Sequence, residues 1–325
     1  MTGPDPAVAA VRVAVRRFLE RHPGHGNELG VAVSGGADSL ALAAACAYLG
    51  PRSGKRVHGL IVDHGLQPDS GRVAERAAKQ LNELGLDEAR VLPVRVEGPG
   101  GPEAAARRAR YRALREARPD GHALILLGHT LNDQAETVLL GLGRGSGPRS
   151  VAGMPPLDPP WGRPLLEITR DTTRAACEAL GLTPWQDPHN ADPRFTRARL
   201  RGEALPLLED VLGGGVAAAL ARTAAQLRED TEALDELAER LLEEADRAGA
   251  LDVRTMAGHP AAIRRRALRS WLRAAGVNDL TDAQLRSVDA LIGDWRGQGG
   301  VWLAGHLVAG RSHGTLHVHH EASDA

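Results

Sequence analysis

The sequence predicts an α/β chain: a doubly wound, mainly parallel sheet with helices on both faces, then a smaller, mostly helical C-terminal domain with a terminal β-hairpin. Three observations carry that reading. Apolar runs of strand length recur as LGVAV (29–33), VHGLIV (57–62), VLPVRV (91–96) and ALILLG (123–128). Segments with helix-compatible spacing lie between and after them, at 37–49, 71–85, 102–118 and 131–142. Strands apolar on both faces and joined by helices imply parallel pairing, because each crossover returns the chain in the same direction. The length of 325 residues, 42% hydrophobic and 25% charged, is enough for two domains with sizeable cores.

The remaining elements follow in order. GRGSGPRSVAGMPPLDPPWGRP (143–164) interrupts the alternation and reads as a long loop crossing the carboxyl ends of the strands, where ligands bind in such sheets. A helix is expected at 169–180, then a turn-rich stretch, TPWQDPHNADPRFTRARLRGEALPLL. The glycines at 213–215 mark a boundary, so the expected domains are 1–213 and 214–325. Beyond them, 216–248 carries Leu227, Leu234, Leu237 and Leu241 as an apolar stripe between charged faces. Helices near 260–275 and 282–292 follow, and GGVWLAGHLVAGRSHGTLHVHH alternates like a hairpin.

Composition removes several function classes. No run approaches the roughly 18 to 20 apolar residues of a membrane span. The N-terminal MTGPDPAVAAVRVAVRRF sets its arginines inside the apolar pattern, unlike a secretory leader, so a cytoplasmic chain is expected. Cys46 and Cys177 are too far apart in sequence for a CxxC site and read as buried thiols. The net charge of -1 gives no overall pull toward nucleic acid, and local arginine clusters are the only electrostatic signal. His317, His319 and His320 resemble a metal set only in number, and a terminal strand would turn them to solvent.

The stretch VAVSGGADSLAL ends the first strand in a glycine turn. It lacks the third glycine of a dinucleotide fingerprint and the lysine of a Walker loop. What remains is Ser34, Gly35, Gly36, Ala37, Asp38 and Ser39. The glycines let backbone N–H groups approach an anion at a helix start, the two hydroxyls can donate to phosphate, and Asp38 can hold a magnesium ion. An ordinary helix cap uses the same residue types.

This hexapeptide resembles the pyrophosphate loop of the N-type ATP pyrophosphatases, which cleave ATP between its α and β phosphates and adenylate a substrate. Three further stretches narrow the resemblance: VDHGLQPDS, GHTLNDQAETVLLGLGRGSG, and RPLLEITRDTTRAACEALGLTPWQDPHNADPRFTRARLR. Together they are similar to the tRNA(Ile)-lysidine synthetases over residues 30 to about 210. Two positions depart: Asn132 stands for the first aspartate of the usual pair, and Ala198 for an asparagine.

The resemblance implies ATP and Mg2+ as cofactors, with an isoleucine tRNA carrying a CAU anticodon and L-lysine as partners. It implies ligation of lysine to the wobble cytidine through an adenylated intermediate, in a pyrophosphatase domain over 1–213 followed by a helical tRNA-binding domain. The catalytic expectation falls on Asp38, Asp133, Glu136 and Arg201, with Mg2+ on Asp38 and Asp133. Asp133 or Glu136 is expected to accept the amine proton or bind the lysine ammonium; three residues apart, both can share one side of a helix. Helix-dipole complementarity would explain the same pair. ATP contacts are expected from residues 34–39, Asp63, His64 and His129, the histidines also being readable as core or capping groups.

Substrate contacts are expected from Arg108, Arg112, Asp187, Asn190, Arg197 and Arg201, and a second basic face from Arg264, Arg265, Arg266, Arg269 and Arg273. A solvated helix face competes for Arg108 and Arg112. No membrane partner is expected, and the sequence leaves a homodimer open. Two rivals share the loop: a tRNA thiolase, for which the two cysteines form no suitable pair, and a non-catalytic nucleotide-binding RNA module, suggested by Asn132.

Overall fold

The computed structural model describes residues 3–320 apart from 68, 100, 146 and 188–191, in two compact units, Met1–Gln226 and Leu227–Ala325. The first unit opens with α1 (Pro6–Arg21), a helix the sequence analysis did not assign. Asp5 caps it by accepting the Ala7 N–H at 2.8 Å, and Pro6 occupies its first position, where no N–H is needed. Val8, Val11, Val15 and Phe18 form its buried face; its arginines ring that stripe and disguise it.

The sheet contains β1 (Glu28–Val33), β2 (Arg56–Asp63), β3 (Glu88–Pro93), β4 (Leu124–Leu126), β5 (Leu157–Asp158) and β6 (Trp161–Gly162). Its order is β3-β2-β1-β4-β6-β5, all parallel except β5 against β6. Between the strands run α2 (Ala37–Leu49), α3 (Ser70–Glu83), α4 (Gly101–Glu116) and α5 (Leu131–Arg144). Two cores cover the two faces. One joins Val31, Val33 and Ile61 to Leu40, Leu42, Leu81 and Cys177; the other joins Leu60 and Ile125 to Leu114 and Trp161. This is the expected doubly wound architecture. The strand order reverses beside β1, so the turns after β1 and β4 flank the crevice where such folds bind ligands.

Two expectations shift. The third strand lies at 88–93 instead of 91–96, because β3 is a half-exposed edge strand and is placed by pairing Glu88–Pro93 with His58–Asp63, not by an apolar run. The presumed loop 143–164 contains α6 (Pro148–Val151) and the β5–β6 pair, and its Trp161 and Gly162 extend the sheet beside Ile125 and Leu126. Next come α7 (Arg170–Ala179), α8 (Thr196–Arg199), a π-helical turn over Leu200–Ala204, and α9 (Leu205–Val211). After Gly213–Gly215, all with positive φ, α10 (Val216–Ala245) starts in the first unit, where Glu209 accepts the Val216 and Ala217 N–H groups at 3.0 and 2.9 Å.

The second unit continues with β7 (Asp246–Arg247), β8 (Ala250–Asp252), α11 (Val253–Ala257), α12 (Ala261–Ala274) and α13 (Asp282–Gly293). It ends in β9 (Val301–Leu303), β10 (Leu307–Ser312) and β11 (Thr315–His320). The expected hairpin is thus part of a five-stranded antiparallel sheet ordered β7-β8-β11-β10-β9. Leu251, Met256, Leu268, Leu272, Val288 and Leu316 fill its core. No single helix is long and apolar enough to cross a membrane among the described residues.

Gly162 lets the first unit close: a Cβ there would stand 2.6 Å from Leu126 and 2.7 Å from Phe18. Gly162→Ala is expected to destabilise the protein by about 1–3 kcal/mol through overpacking. The measurement is the urea midpoint, and an unchanged midpoint would show that Phe18 can yield without loss.

Candidate active site

β1 stops at Val33 and α2 starts at Ala37, so Ser34, Gly35 and Gly36 make the turn. Gly35 has φ +82°, a left-handed conformation in which a side chain would be strained. Gly36 is the N-cap and offers no side chain to the first-turn N–H groups of α2, which lack intrahelical acceptors. The two hydroxyls stand side by side: Ser34 Oγ is 3.3 Å from Ser39 Oγ, and Ser39 Oγ donates to Gly36 O at 2.9 Å. A strap braces the turn. Trp185 N–H donates to Gly35 O at 2.9 Å, Gln80 bonds the Thr183 backbone at 2.9 and 3.3 Å, and Gln67 donates to Asp187 at 3.1 Å. From the other side β4 delivers Gly128 so closely that a Cβ would lie 3.0 Å from the Asp38 carbonyl.

The turn after β4 brings the remaining carboxylates. Asp133 Oδ2 accepts both the N–H and the hydroxyl of Thr130 at 2.8 Å, capping α5, while its Oδ1 accepts Arg170 Nη2 at 2.8 Å. Asp133 thus closes a capping box at the start of α5, a local role beyond the dipole complementarity the sequence suggested, and the same side chain also faces the site. Glu136, one turn on, is fully buried. Both its oxygens receive N–H groups from Arg201, at 2.9 and 3.3 Å; Arg170 lies 3.5 Å away and Arg197 3.8 Å. The π-helical turn carries Arg201, and one surplus residue in a helix is a common device for aiming a side chain at a site.

Asp38 completes the cluster. Thr173 Oγ1 donates to one of its oxygens, and Arg170 Nε lies 3.6 Å from the other. Burial, then the nearby Asp133 charge, push its pKa up, against the Thr173 hydroxyl and Arg170. Asp133 moves the opposite way: burial would raise it, but Arg170, the Thr130 N–H and His129 hold it below the usual carboxylate range. A small cavity of about 180 Å³ adjoins the cluster, lined among others by Asn132, Glu136, Arg170, Arg201 and Glu209.

The other expected residues are distributed as follows. Asp63 ends β2 and accepts the Gly65 N–H at 3.0 Å. His64 Nε2 accepts Arg110 Nε at 3.3 Å, so Nδ1 carries its proton, and that buried nitrogen has no partner among the described residues. His129 Nδ1 is likewise buried and unpartnered. Arg108 turns to the Pro99 carbonyl and Arg112 is exposed, so α4 faces the carboxyl edge with Arg110 instead. Arg197 points at Glu136, whereas Arg194 and Arg199 pair with Asp192 and Glu203 on the surface. Asn190 lies outside the described residues.

Arg170 and Thr173 were missed. One signal was available: Arg170 is the first residue of α7, where the helix dipole disfavours a cation, so it needs acidic neighbours from elsewhere. In the second unit the expected basic face is partly internal. Arg264 and Arg265 both bond the buried Asp289, at 2.8 and 3.0 Å, and Arg266 bonds Asp235 at 2.8 Å.

A family model described as the PP-loop domain matches residues 10–208, and one described as the TilS substrate binding domain matches 251–317. The chain is 59% identical over 316 residues to a tRNA(Ile)-lysidine synthase of Rhodococcus erythropolis, covering 96% of this chain and 95% of that protein. It is 56% identical over 324 residues to the protein of that name from Mycobacterium tuberculosis, covering 97% and 98%. Among solved structures, the U34-tRNA thiolase NcsA of Methanococcus maripaludis is similar in fold, with a TM-score of 0.57 and 20% identity over 69% of this chain and 80% of that one.

The site imposes a pH dependence on stability. Burial pushes the His129 pKa from 6.5 down to about 4, helped by Arg163, Arg107 and Arg197 and opposed by Asp133. As pH falls below 6.5 the unfolded chain takes up a proton that the folded one refuses until about 4. Stability is then lost at on the order of 1 kcal/mol per pH unit. Between about pH 7 and pH 5, His129→Gln is expected to lose less stability than the wild type; equal losses would show that His129 is protonated normally in the folded protein.

Proposed function

The chain belongs to the tRNA(Ile)-lysidine synthase family, and we propose that it joins L-lysine to carbon 2 of the wobble cytidine in the CAU anticodon of an isoleucine tRNA. The reaction runs through an adenylated cytidine and releases AMP and pyrophosphate. The meeting of the Ser34–Ser39 turn with Asp133, Glu136 and Arg201 beyond the carboxyl ends of β1 and β4 supports this most directly.

In this reading the turn N–H groups and the Ser34 and Ser39 hydroxyls hold the ATP phosphates. His64 and His129, each with an unsatisfied ring nitrogen, face the nucleotide together with Asp63. Asp38 and Asp133 would hold the magnesium ion, because both carboxylates turn to the same space beside Arg170, although no third acidic, histidine or cysteine ligand joins them among the described residues. Mg2+ bound there would neutralise phosphate oxygens and favour attack at the α-phosphorus by the cytidine oxygen.

Lysine's ε-amine, with a pKa of about 10.4, arrives protonated and must lose a proton before it attacks. Asp133, held ionised by Arg170, binds the ammonium and is our candidate to take its proton; Glu136, forked by Arg201, keeps that guanidinium aimed at the substrates. Arg108, Arg112, Asp187, Asn190 and Arg197 remain candidates for tRNA contact, with the second unit as the larger tRNA-binding surface. A cytoplasmic location suits a tRNA-modifying enzyme. Thiolation would require reactive cysteines, whereas burial pushes Cys46 up to about 12 and Cys177 to about 11.

The deciding experiment supplies labelled lysine, ATP and tRNAs that differ only at the wobble base. Incorporation confined to the cytidine form is expected, and ATP binding without pyrophosphate release would instead favour the non-catalytic module. Asp133→Ala and Glu136→Ala should each retain tRNA binding and lower incorporation by about a hundredfold; full activity in both would remove them from the mechanism. tRNA affinity should fall steeply with salt as phosphate contacts are screened, and a flat dependence would contradict an RNA substrate.

A further inference from the structure

In the scheme above Arg170 only keeps Asp133 ionised, yet it lies against all three site carboxylates. Its guanidinium donates to Asp133 Oδ1 at 2.8 Å and lies 3.5 Å from Glu136 and 3.6 Å from Asp38. The side chain is only 13% exposed. Its backbone is fixed as well: the N–H donates to Asn132 Oδ1 at 2.9 Å, and the carbonyl accepts Thr173 Oγ1 at 2.8 Å, the same hydroxyl that reaches Asp38. Asn132 stands where the resemblance leads one to expect an aspartate. As a neutral acceptor it can grip the backbone of Arg170 without drawing the guanidinium away from the other three acids.

We propose that Arg170 is a positioning residue for the ligation, holding the nucleotide-side Asp38 and the amine-side Asp133 and Glu136 in one arrangement, with Asn132 setting its register. The inference rests on the assignment of those carboxylates made under the proposed function. A planar guanidinium can serve several carboxylates at fixed angles, which an ammonium cannot. Without it the three acids repel one another and spread, so the bound groups lose alignment while tRNA contacts made elsewhere persist.

The test uses the full chain carrying Arg170→Ala, Arg170→Lys, Asn132→Asp or Asn132→Leu. Unfolding midpoint, KM for tRNA and kcat for lysine incorporation are measured, the last with and without added guanidinium ion at a non-denaturing concentration. Arg170→Ala is expected to lose kcat by about tenfold to a hundredfold, leave KM for tRNA nearly unchanged, and recover in part with guanidinium. Arg170→Lys should be impaired; Asn132→Asp should fall below wild type because its charge competes for the guanidinium, and Asn132→Leu further because no acceptor is left, whereas wild-type kcat in Asn132→Leu would overturn the part given to Asn132.

The proposal is overturned if folded Arg170→Ala keeps wild-type kcat, if its loss only tracks the unfolded fraction, or if guanidinium restores nothing. Should Arg170→Ala fail to fold, Arg170→Lys decides: wild-type kcat in that variant overturns the proposal. A wild type that incorporates no lysine overturns the functional reading itself, and this inference with it.

Discussion

Three carboxylates crowd into one partly buried space, and no arrangement of like charges there is stable without cations built in beside them. Arg170 and Arg201 supply those cations from two different stretches of chain. That need explains why a helix begins with an arginine and why a π-helical turn interrupts the one after it. The turns after β1 and β4 set the acids, and α7 and the segment after Phe195 answer them. The sheet order, with its reversal beside β1, makes this convergence possible.

Much of this was legible in the sequence, and the exceptions have physical causes. Central strands announce themselves through apolar runs because both their faces are covered; β3, on the edge, is placed by its partner's backbone and carries a weaker signal. The stripe of α1 is readable afterwards, but arginines between its valines masked it. Asp133, Glu136 and Arg201 stand out through distinctive motifs and their side chains do meet, whereas Arg170 and Thr173 lie in an ordinary amphipathic helix and acquire meaning only through what they face. Spacing alone could not tell which arginines of α4 turn toward the sheet edge.

The second unit shows the opposite failure. A run of arginines along one helix invites an electrostatic reading, yet Arg264 and Arg265 converge on Asp289 and Arg266 on Asp235. Leaving the buried Asp289 without its arginines would cost stability, so the chain has a reason to keep Arg264 and Arg265 that owes nothing to RNA. Of the five expected arginines, Arg273 is exposed and the three at 264–266 are engaged by acids of the same unit.

Gly128 has a consequence of its own. Because its missing side chain allows the stretch after β4 to rest against the Asp38 carbonyl, the segment leading to Asp133 and Glu136 and the Ser34–Ser39 turn touch backbone to backbone. They act as meshed teeth, so a displacement of one is transmitted to the other without any intervening side chain. Divergence along this lineage can then alter the residues displayed on either segment while leaving their mutual setting untouched.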